Sequence, residues 1–314
     1  MMNLEQIRMH QNPVLTNLLL GMGQGTMIAE RVLPRLPQAL RGHLVPTLGK
    51  ERLARYNTRR APAALTRRVD ITWKGQVFTV DQHAVEIPIP REMLEEADIA
   101  RKLNVGAHLE VSTIAVQTAS DILALDYEAE AAAMLRDEAL YAASNKQALS
   151  GAAKWNADGD PVADVRAAAD VLRQQNGVRP NTLTVSSSVY SAIQLNEKVR
   201  AMLPGNQLRL PDDEQLRTLF GVQQIIVGDA VWLDADKKPH DVWGDTALLS
   251  YTESTASFSL ASPAFGFTSA LEGHPFVEQP YYNADRKSWI YGATFERAPQ
   301  IANADAGFLF VTPI

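Results

Sequence analysis

Apolar residues recur at helical spacing in the middle of the chain, between residues 107 and 150, where neither glycine nor proline occurs. This stretch predicts one amphipathic helix of roughly thirty residues, about 45 Å long at 1.5 Å per residue. Helices in globular domains are usually much shorter, and a coiled-coil heptad is not cleanly kept. The positions that form the apolar face are Val111, Ile114, Thr118, Ile122, Leu125, Ala129 and Ala133.

A compact α/β pattern follows over residues 160 to 250. Asp160 is a good helix N-cap and Pro161 suits the first helical position, whereas Gly177 suits the left-handed position after a helix. A short buried strand then covers 183–185, and Ser187 or Ser188 is expected to cap the next helix. The pattern predicts further elements, namely a helix over 212–220 and strands over 224–227 and 247–251.

The last sixty residues, 255 to 314, change to a β pattern. Strands are predicted over 257–260, 265–269, 288–295 and 307–312.

The N-terminal third lacks a sustained period. Residues 1–49 are interrupted by glycines and prolines, so we expect an extended arm that packs on something else. Residues 50–90 predict a long two-stranded ribbon, in which Lys74-Gly75 makes a turn-like break. We expect Pro88 and Pro90 to end a strand over 84–89. A ribbon so polar on its first limb is marginal alone, which suggests that it lies on a neighbouring subunit.

Charge is concentrated in one segment. Nine basic and two acidic residues lie between Arg41 and Lys74, a net charge of +7, while the remaining 21 basic and 34 acidic residues carry −13. A basic segment on an acidic body favours contacts between copies. A nucleic-acid-binding arm is the alternative, although only Tyr56 and Trp73 are interleaved aromatics. A solvated basic loop without any partner is a third interpretation.

Composition excludes several classes of protein. The chain has 314 residues and 46% hydrophobic content, enough for a large core split over two lobes. No cysteine occurs, so disulfides and thiolate metal sites are excluded. The apolar run over 15–20 is too short for a membrane span and is a poor signal peptide.

No arrangement of residues typical of an active site emerges. The carboxylates of Asp158-Gly159-Asp160 and Asp234-Ala235-Asp236 lie in turns without the further ligands of a calcium loop, and Ser186-Ser187-Ser188 lacks the glycines of a nucleophile elbow. We therefore expect no catalytic residue, no metal ligand and no cofactor. An α/β enzyme is the alternative from another class. The histidines do not pair at metal-ligand spacing; they are His10, His43, His83, His108, His240 and His274.

Several short sequence segments point to a known family. The segment Lys154-Trp155-Asn156, the turn Gly177-Val178-Arg179-Pro180-Asn181 and the run Leu219-Phe220-Gly221-Val222 resemble the major capsid proteins of tailed bacteriophages. The closing segments Ser262-Pro263-Ala264-Phe265-Gly266-Phe267-Thr268 and Asn303-Ala304-Asp305-Ala306-Gly307-Phe308 are similar to the final strands of that family. Encapsulin shell proteins share the fold, known as HK-ninety-seven-like, and remain an alternative.

The resemblance implies an α+β capsid fold. It implies an N-terminal arm, an extended β-ribbon loop, a long spine helix, an α/β axial lobe and a peripheral β-sheet. The corresponding boundaries are 1–49 for the arm, 50–90 for the extended loop, 91–153 for the peripheral domain with the spine helix, 154–254 for the axial domain, and 255–314 for peripheral strands, with the final strand returning to the axial lobe.

The resemblance also implies a function and partners. It implies self-assembly, through pentamers and hexamers, into the icosahedral head that encloses a double-stranded DNA genome. The protein would then be part of the virion and would be assembled in the cytoplasm of the host bacterium. A scaffold protein or protease and a portal would take part, a decoration protein is a further partner, and no membrane is involved. Some relatives join Lys to Asn covalently, but no acidic catalyst accompanies Lys50 or Lys74, so we expect no crosslinks.

The basic ribbon is the predicted interface between subunits. We expect its arginines to face acidic residues of an adjacent copy. One candidate set lies at the start of the helical region and consists of Glu92, Glu95, Glu96 and Asp98. The other lies on the long helix and consists of Asp121, Asp126, Glu128 and Glu130. The full set of predicted interface residues is Arg41, Arg52, Arg55, Arg59, Arg60, Arg67, Arg68, Trp73, Lys74, Glu92, Glu95 and Glu96.

Overall fold

The computed structural model describes residues 27–48, 50–62, 64–70, 73–103, 110–203, 210–253 and 263–314. Most of the predicted arm and the strand predicted over 257–260 lie outside these residues. The described helices are α1 (Ala29–Val32), α2 (Arg91–Leu103), α3 (Val111–Leu135), α4 (Pro161–Asn176), α5 (Ser187–Leu195), α6 (Glu197–Ala201) and α7 (Asp213–Phe220). The strands are β1 (Arg35–Gln38), β2 (Gly42–Leu48), β3 (Trp73–Thr79), β4 (Asp81–Pro90), β5 (Lys146–Ala148), β6 (Thr182–Ser186), β7 (Gln224–Gly228), β8 (Val231–Leu233), β9 (Pro239–Asp241), β10 (Thr246–Ser250), β11 (Gly266–Leu271), β12 (Phe276–Val277), β13 (Tyr281–Asn283), β14 (Ser288–Ile301) and β15 (Gly307–Val311).

Helix α3 is long, at 25 residues, but shorter than the thirty predicted. It ends at Leu135 because Asp137 caps a following 3-10 turn, where its carboxylate accepts from Ala139 N at 2.9 Å. The predicted apolar face was only partly right: Val111, Leu125 and Ala129 pack against the core, but the centre of the buried face lies elsewhere on the helix. Ile114 and Ile122 are exposed, and the buried face consists of Ala115, Val116, Ala119, Leu123, Tyr127, Glu128, Ala131, Ala132 and Leu135.

A six-stranded sheet is built around β14. Strand β4 pairs antiparallel with β14 over ten residues, and β11, β12 and β13 pair along its other side. Helix α3 packs against this sheet, where Ala119 and Leu123 share a core with Val277 and Phe295. Pro90 is the last residue of β4, one residue beyond the predicted end, whereas Pro88 lies within the strand and does not end it. Among the described strands β4 pairs with β14 alone. Its other side is unpaired, and prolines, which lack an N–H, are tolerated in such an edge strand.

A five-stranded sheet in the order β5-β15-β10-β6-β7 forms the second layer. Strand β15 from the end of the chain lies inside this sheet, between β5 and β10. Helices α4, α5 and α7 cover it around a core that includes the fully buried Trp155 and Phe310.

The helix ends in this layer follow the sequence signals closely. Asp160 caps α4 and Gly177 ends it with φ of 77°, as predicted. Asp212 caps α7 through a capping box with Gln215. The cap of α5 is Ser186 rather than Ser187 or Ser188, because the helix begins directly after the buried strand β6.

The ribbon, residues 42–79, pairs β2 antiparallel with β3. The turn predicted at Lys74-Gly75 was wrong, since Gly75 lies within β3 and pairs with Pro46. The first limb therefore begins at Gly42, inside the segment predicted as arm, and the connection between the two strands is the longer stretch 49–72. A glycine inside a strand weakens it without ending it.

Candidate assembly interface

The ribbon presents apolar and basic side chains together. Its two strands pair with no other described strand. Leu65 is 98% exposed, and Leu44, Leu53, Val69 and Val77 are also exposed. Several large apolar side chains exposed on one element are typical of a surface that another molecule covers.

Five of the predicted interface arginines are exposed on the connection between β2 and β3: Arg55, Arg59, Arg60, Arg67 and Arg68. Arg60 Nε donates to Ala64 O at 2.6 Å, and the Arg67 guanidinium lies 5.2 Å from the centre of the Tyr56 ring. Among the residues that the structure describes, none of the five pairs with a carboxylate of its own chain. The side chains of Arg52, Trp73 and Lys74 lie outside the described set.

The base of the ribbon is tied to the six-stranded sheet. Arg41 Nε and Nη2 donate to Glu296 on β14 at 2.6 and 2.5 Å, and Val80 N donates to Arg41 O at 2.9 Å. The hydrogen bonds from Arg41 hold the pKa of Glu296 below its usual value. Arg41, predicted to face another copy, therefore finds its carboxylate within its own chain.

A buried histidine completes this anchor. His274 Nδ1 accepts from Glu296 N at 3.1 Å, which requires the neutral imidazole at this nitrogen. Burial lowers the pKa of His274 from its usual value. The ribbon thus leaves the body at a fixed point rather than from a loose hinge.

The acidic counterparts at the start of the helical region lie on α2. Glu92, Glu95 and Glu96 are exposed, and they share one face of the helix because they are three and four residues apart. Arg91 on the same helix contacts Glu92 at 3.7 Å and Glu95 at 3.3 Å. Met93 and Ile99 are exposed beside them, so this face combines negative charge with apolar area.

Two of the acidic candidates on the long helix, Asp126 and Glu130, have a role within their own chain. Asp126 and Glu130 both hold Arg297 of β14, whose side chain is fully buried; the Asp126 contact is 2.7 Å. His83 Nδ1 lies 3.1 Å from Asp126 as well. His83, Asp126 and Glu130 come close enough together to suggest a metal site, but the guanidinium of Arg297 already neutralises the same carboxylate oxygens.

Glu128 is no partner for a ribbon arginine, because it is completely buried. Its carboxylate accepts from Ile28 N at 2.9 and 3.0 Å, from Ala29 N at 2.8 Å and from Trp243 Nε1 at 2.7 Å. Burial raises the pKa of Glu128, and these donors work against that shift. One side chain thus joins the start of α1, the long helix and the segment before β10.

A second projecting element, the finger, was not predicted from the sequence. It consists of residues 231–241, in which β8 and β9 pair antiparallel and all six strand residues are exposed. Asp234 holds its turn by accepting from Asp236 N at 2.9 Å and from Lys238 N at 2.8 Å. Both aspartate motifs that were considered as cation sites therefore have a structural role: Asp234 stabilises this turn and Asp160 caps α4. The sequence signal for the finger is the apolar run Val231-Trp232-Leu233 beside a lysine-aspartate turn.

Comparison with known proteins decides the family. No family model matches the sequence. The chain is 30% identical over 307 residues to the major capsid protein of Burkholderia phage BcepMu, covering 95% of each protein. It belongs to the phage major capsid protein family. A further relative, the major capsid protein of Pseudomonas phage JBD67, is 25% identical over 236 residues and covers 70% of this chain and 68% of that protein.

Solved structures agree with this capsid assignment. A phage-related protein from Bordetella bronchiseptica RB50 is 33% identical, with a TM-score of 0.79 and 97% of each chain covered. The SrpI encapsulin of Synechococcus elongatus shares the fold at 11% identity and a TM-score of 0.55, over 100% of this chain and 96% of that one. The predicted HK-ninety-seven-like α+β fold is confirmed. None of the described helices of this capsid-family chain has the length and hydropathy that a membrane span needs.

Proposed function

We propose that many copies of this chain assemble into the closed icosahedral head of a tailed phage, which encloses its double-stranded DNA. The observation that carries the proposal is the match to a phage major capsid protein along 95% of both chains. The role is structural. An α/β enzyme, the alternative from the sequence, gains no support from this family.

The layers of the fold take the roles that the resemblance implies. The five-stranded sheet with α4, α5 and α7 serves as the axial lobe, and the six-stranded sheet with the long helix α3 serves as the peripheral domain. The ribbon serves as the extended loop. The final strand β15 crosses back to the axial lobe.

The ribbon of one copy lies on the helical region of a neighbour. Two complementarities support this contact. The exposed ribbon arginines match the exposed Glu92, Glu95 and Glu96 of α2, and opposite charges on facing surfaces favour the correct docking. Exposed apolar side chains also occur on both sides: Leu65 and Val69 on the ribbon, and Met93, Ile99, Ile114 and Ile122 on the helical region.

Assembly proceeds through pentamers and hexamers, with a scaffold protein or protease and a portal, in the cytoplasm of the host bacterium. A decoration protein is a further partner of the finished virion. DNA is held by enclosure with weak, sequence-independent contacts, because the whole chain has a net charge of −6 and binding strength follows the number of phosphates that a protein neutralises. The ribbon arginines are engaged between subunits, so few cations remain for the lumen.

An encapsulin-like compartment is the second candidate, because the encapsulin fold matches along the whole chain. The cargo distinguishes the two functions, since a phage head holds nuclease-protected DNA and a compartment holds protein.

The test is sedimentation velocity and negative-stain electron microscopy of the purified protein, alone and with the product of any neighbouring scaffold gene. The proposal expects fast-sedimenting closed particles of uniform size. A species that remains monomeric under every assembly condition, or that turns over a substrate as a monomer, would contradict it.

A further inference from the structure

The finger exposes a continuous apolar run. Val231 is 46% exposed, Trp232 43% and Leu233 63%. Successive residues of a strand point to opposite faces, so Val231 and Leu233 lie on one face and Trp232 on the other. Scattered apolar residues are common on protein surfaces, but three in succession on a projecting hairpin indicate a contact surface.

The base of the finger is fixed firmly to the body. Val242 N donates to Ala230 O at 2.9 Å, and Ala230, Val242 and Trp243 are all buried. Trp243 is held by the hydrogen bond from its indole nitrogen to Glu128. It also packs directly on Gly228, where an added Cβ would lie 2.3 Å from Trp243 Cδ1. No larger residue than glycine fits there without displacing the indole.

The tip of the finger is also ordered. His240 Nε2 lies 2.8 Å from Asp234 Oδ2, and the rings of Trp232 and His240 lie 5.1 Å apart. Lys237 takes the left-handed conformation with φ of 61° that closes the turn. A contact element that is held by its own internal contacts loses little conformational entropy on binding.

A two-stranded hairpin of three-residue strands is marginal in water by itself. Among the described strands, β8 and β9 pair only with each other. The ordered base and the exposed apolar run together suggest that the finger is completed by another molecule.

The charges on the finger favour a protein partner over DNA. The segment 234–238 carries Asp234, Asp236, Lys237 and Lys238, two residues of each sign. A polyanion is bound by clustered positive charge, which is absent from this segment. A mixed-charge rim around apolar residues is the usual composition of a protein–protein interface. Because this chain belongs to a family of capsid proteins, the protein that surrounds each copy most abundantly is the chain itself.

We propose that the finger is a second contact element between copies, which inserts Val231, Trp232 and Leu233 against the body of a neighbouring copy. The inference rests on the proposed shell assembly. It adds a contact element separate from the ribbon, since Val231, Trp232 and Leu233 belong to β8 and the ribbon consists of β2, β3 and their connection.

Site-directed crosslinking tests the contact. The photoreactive residue p-benzoylphenylalanine replaces Leu233, particles are isolated and irradiated, and the products are separated on a denaturing gel and mapped by mass spectrometry. We expect covalent dimers in which position 233 is joined to a peptide of a second copy. Crosslinks confined to the same chain, to a scaffold or decoration protein, or no crosslinks at all would overturn the inference.

A labelling experiment keeps the test decisive if the photoreactive variant assembles poorly. The chain contains no cysteine, so Leu233→Cys introduces a single thiol. We expect maleimide to label this thiol at least tenfold more slowly in particles than in the unassembled subunit. Equal rates would overturn the inference while the proposed shell stands, whereas a complete failure of the unmodified chain to form particles would overturn both.

A matched pair of variants then measures the importance of the contact. Leu233→Asp should lower the particle yield at least tenfold, and Leu233→Met, which keeps the apolar surface, should assemble as the unmodified chain does. Position 233 is exposed in the subunit, so both variants should unfold at the same urea concentration as the unmodified subunit. Normal assembly of Leu233→Asp would contradict the inference.

Discussion

The carboxylate of Glu128 lies 2.7 Å from the indole nitrogen of Trp243, in the interior of the molecule. The same carboxylate accepts the backbone N–H groups of Ile28 and Ala29. Every donor that faces it is therefore used to stabilise a buried negative charge, as burial of a charge requires. Glu128 thereby fixes the position of the N-terminal segment and of the finger on the long helix.

Removal of this carboxylate should destabilise the subunit. Glu128→Ala leaves three buried N–H groups without an acceptor, and each unsatisfied group costs about 1–3 kcal/mol. We expect a loss of roughly 3 kcal/mol or more in the free energy of unfolding, measured by urea denaturation. Asp121→Asn on the same helix serves as control and should change the stability by less than about 0.5 kcal/mol.

Hydrogen exchange separates this anchoring role from a general loss of stability. In Glu128→Gln the amide keeps the shape of the carboxylate but loses its charge and one acceptor. The amides of Ile28 and Ala29 should then exchange at least tenfold faster, while those in the middle of α4 keep their rates. Unchanged exchange at Ile28 and Ala29 would show that Glu128 does not hold this segment.

The anchor of the ribbon should make stability depend on pH. Arg41 lowers the pKa of Glu296 in the folded chain below 4.5, its ordinary value. Between the lowered pKa of the folded chain and pH 4.5, the unfolded state therefore binds more protons than the folded state. The pair contributes stability above about pH 4.5, and this stability is lost as the pH falls through the lowered pKa. Arg41→Gln should be about 1 kcal/mol less stable at pH 7, because Arg41 is largely exposed and its hydrogen bonds are partly screened.

Urea denaturation of both proteins at pH 7 and pH 3 measures this effect. The difference between unmodified chain and Arg41→Gln should shrink at pH 3. A difference that stays constant or grows on acidification would contradict the assigned ion pair.

Charge reversal on the ribbon should affect assembly and leave the subunit intact. Arg59→Glu combined with Arg60→Glu should keep the urea midpoint but lower the particle yield at least tenfold, because like charges would face α2 of the neighbour. Adding Glu95→Arg and Glu96→Arg in the same chain should restore part of the yield. Reversed variants that assemble normally but lose packaged DNA would instead make the ribbon a DNA-binding element.

Mature particles should contain no covalent links between copies. Disulfides are impossible without cysteine, and no acidic catalyst accompanies Lys50 or Lys74 in the sequence. A denaturing gel should therefore show the monomer band and no bands of multimers. A ladder of multimers that survives reducing agent and boiling would prove this expectation wrong.

Local signals in the sequence predicted local structure well. Asp160, Pro161 and Gly177 act through the backbone of their own helix, so the bounds of α4 follow from chemistry within a few residues. The order of ribbon, long helix, α/β lobe and final strands is also present in the structure, and the family resemblance supplied the function.

Tertiary context decided what the sequence could not. Helix α3 is apolar on several sides, so spacing alone did not distinguish the buried Ala119 and Leu123 from the exposed Ile114 and Ile122. Glu128 reads as a surface acid on a helix, and only the packing of Trp243 and Ile28 around it makes it internal. The finger was missed because its strands have three residues each, too few to produce a clear alternation.

Electron cryo-microscopy of assembled particles tests the central claim most directly. The account predicts a closed icosahedral shell in which Arg59, Arg60, Arg67 and Arg68 of one copy lie against the acidic face of α2 on a neighbouring copy. Particles in which these arginines contact only packaged DNA or solvent would contradict the proposed interface, and a protein that forms no closed shell would contradict the proposed function itself.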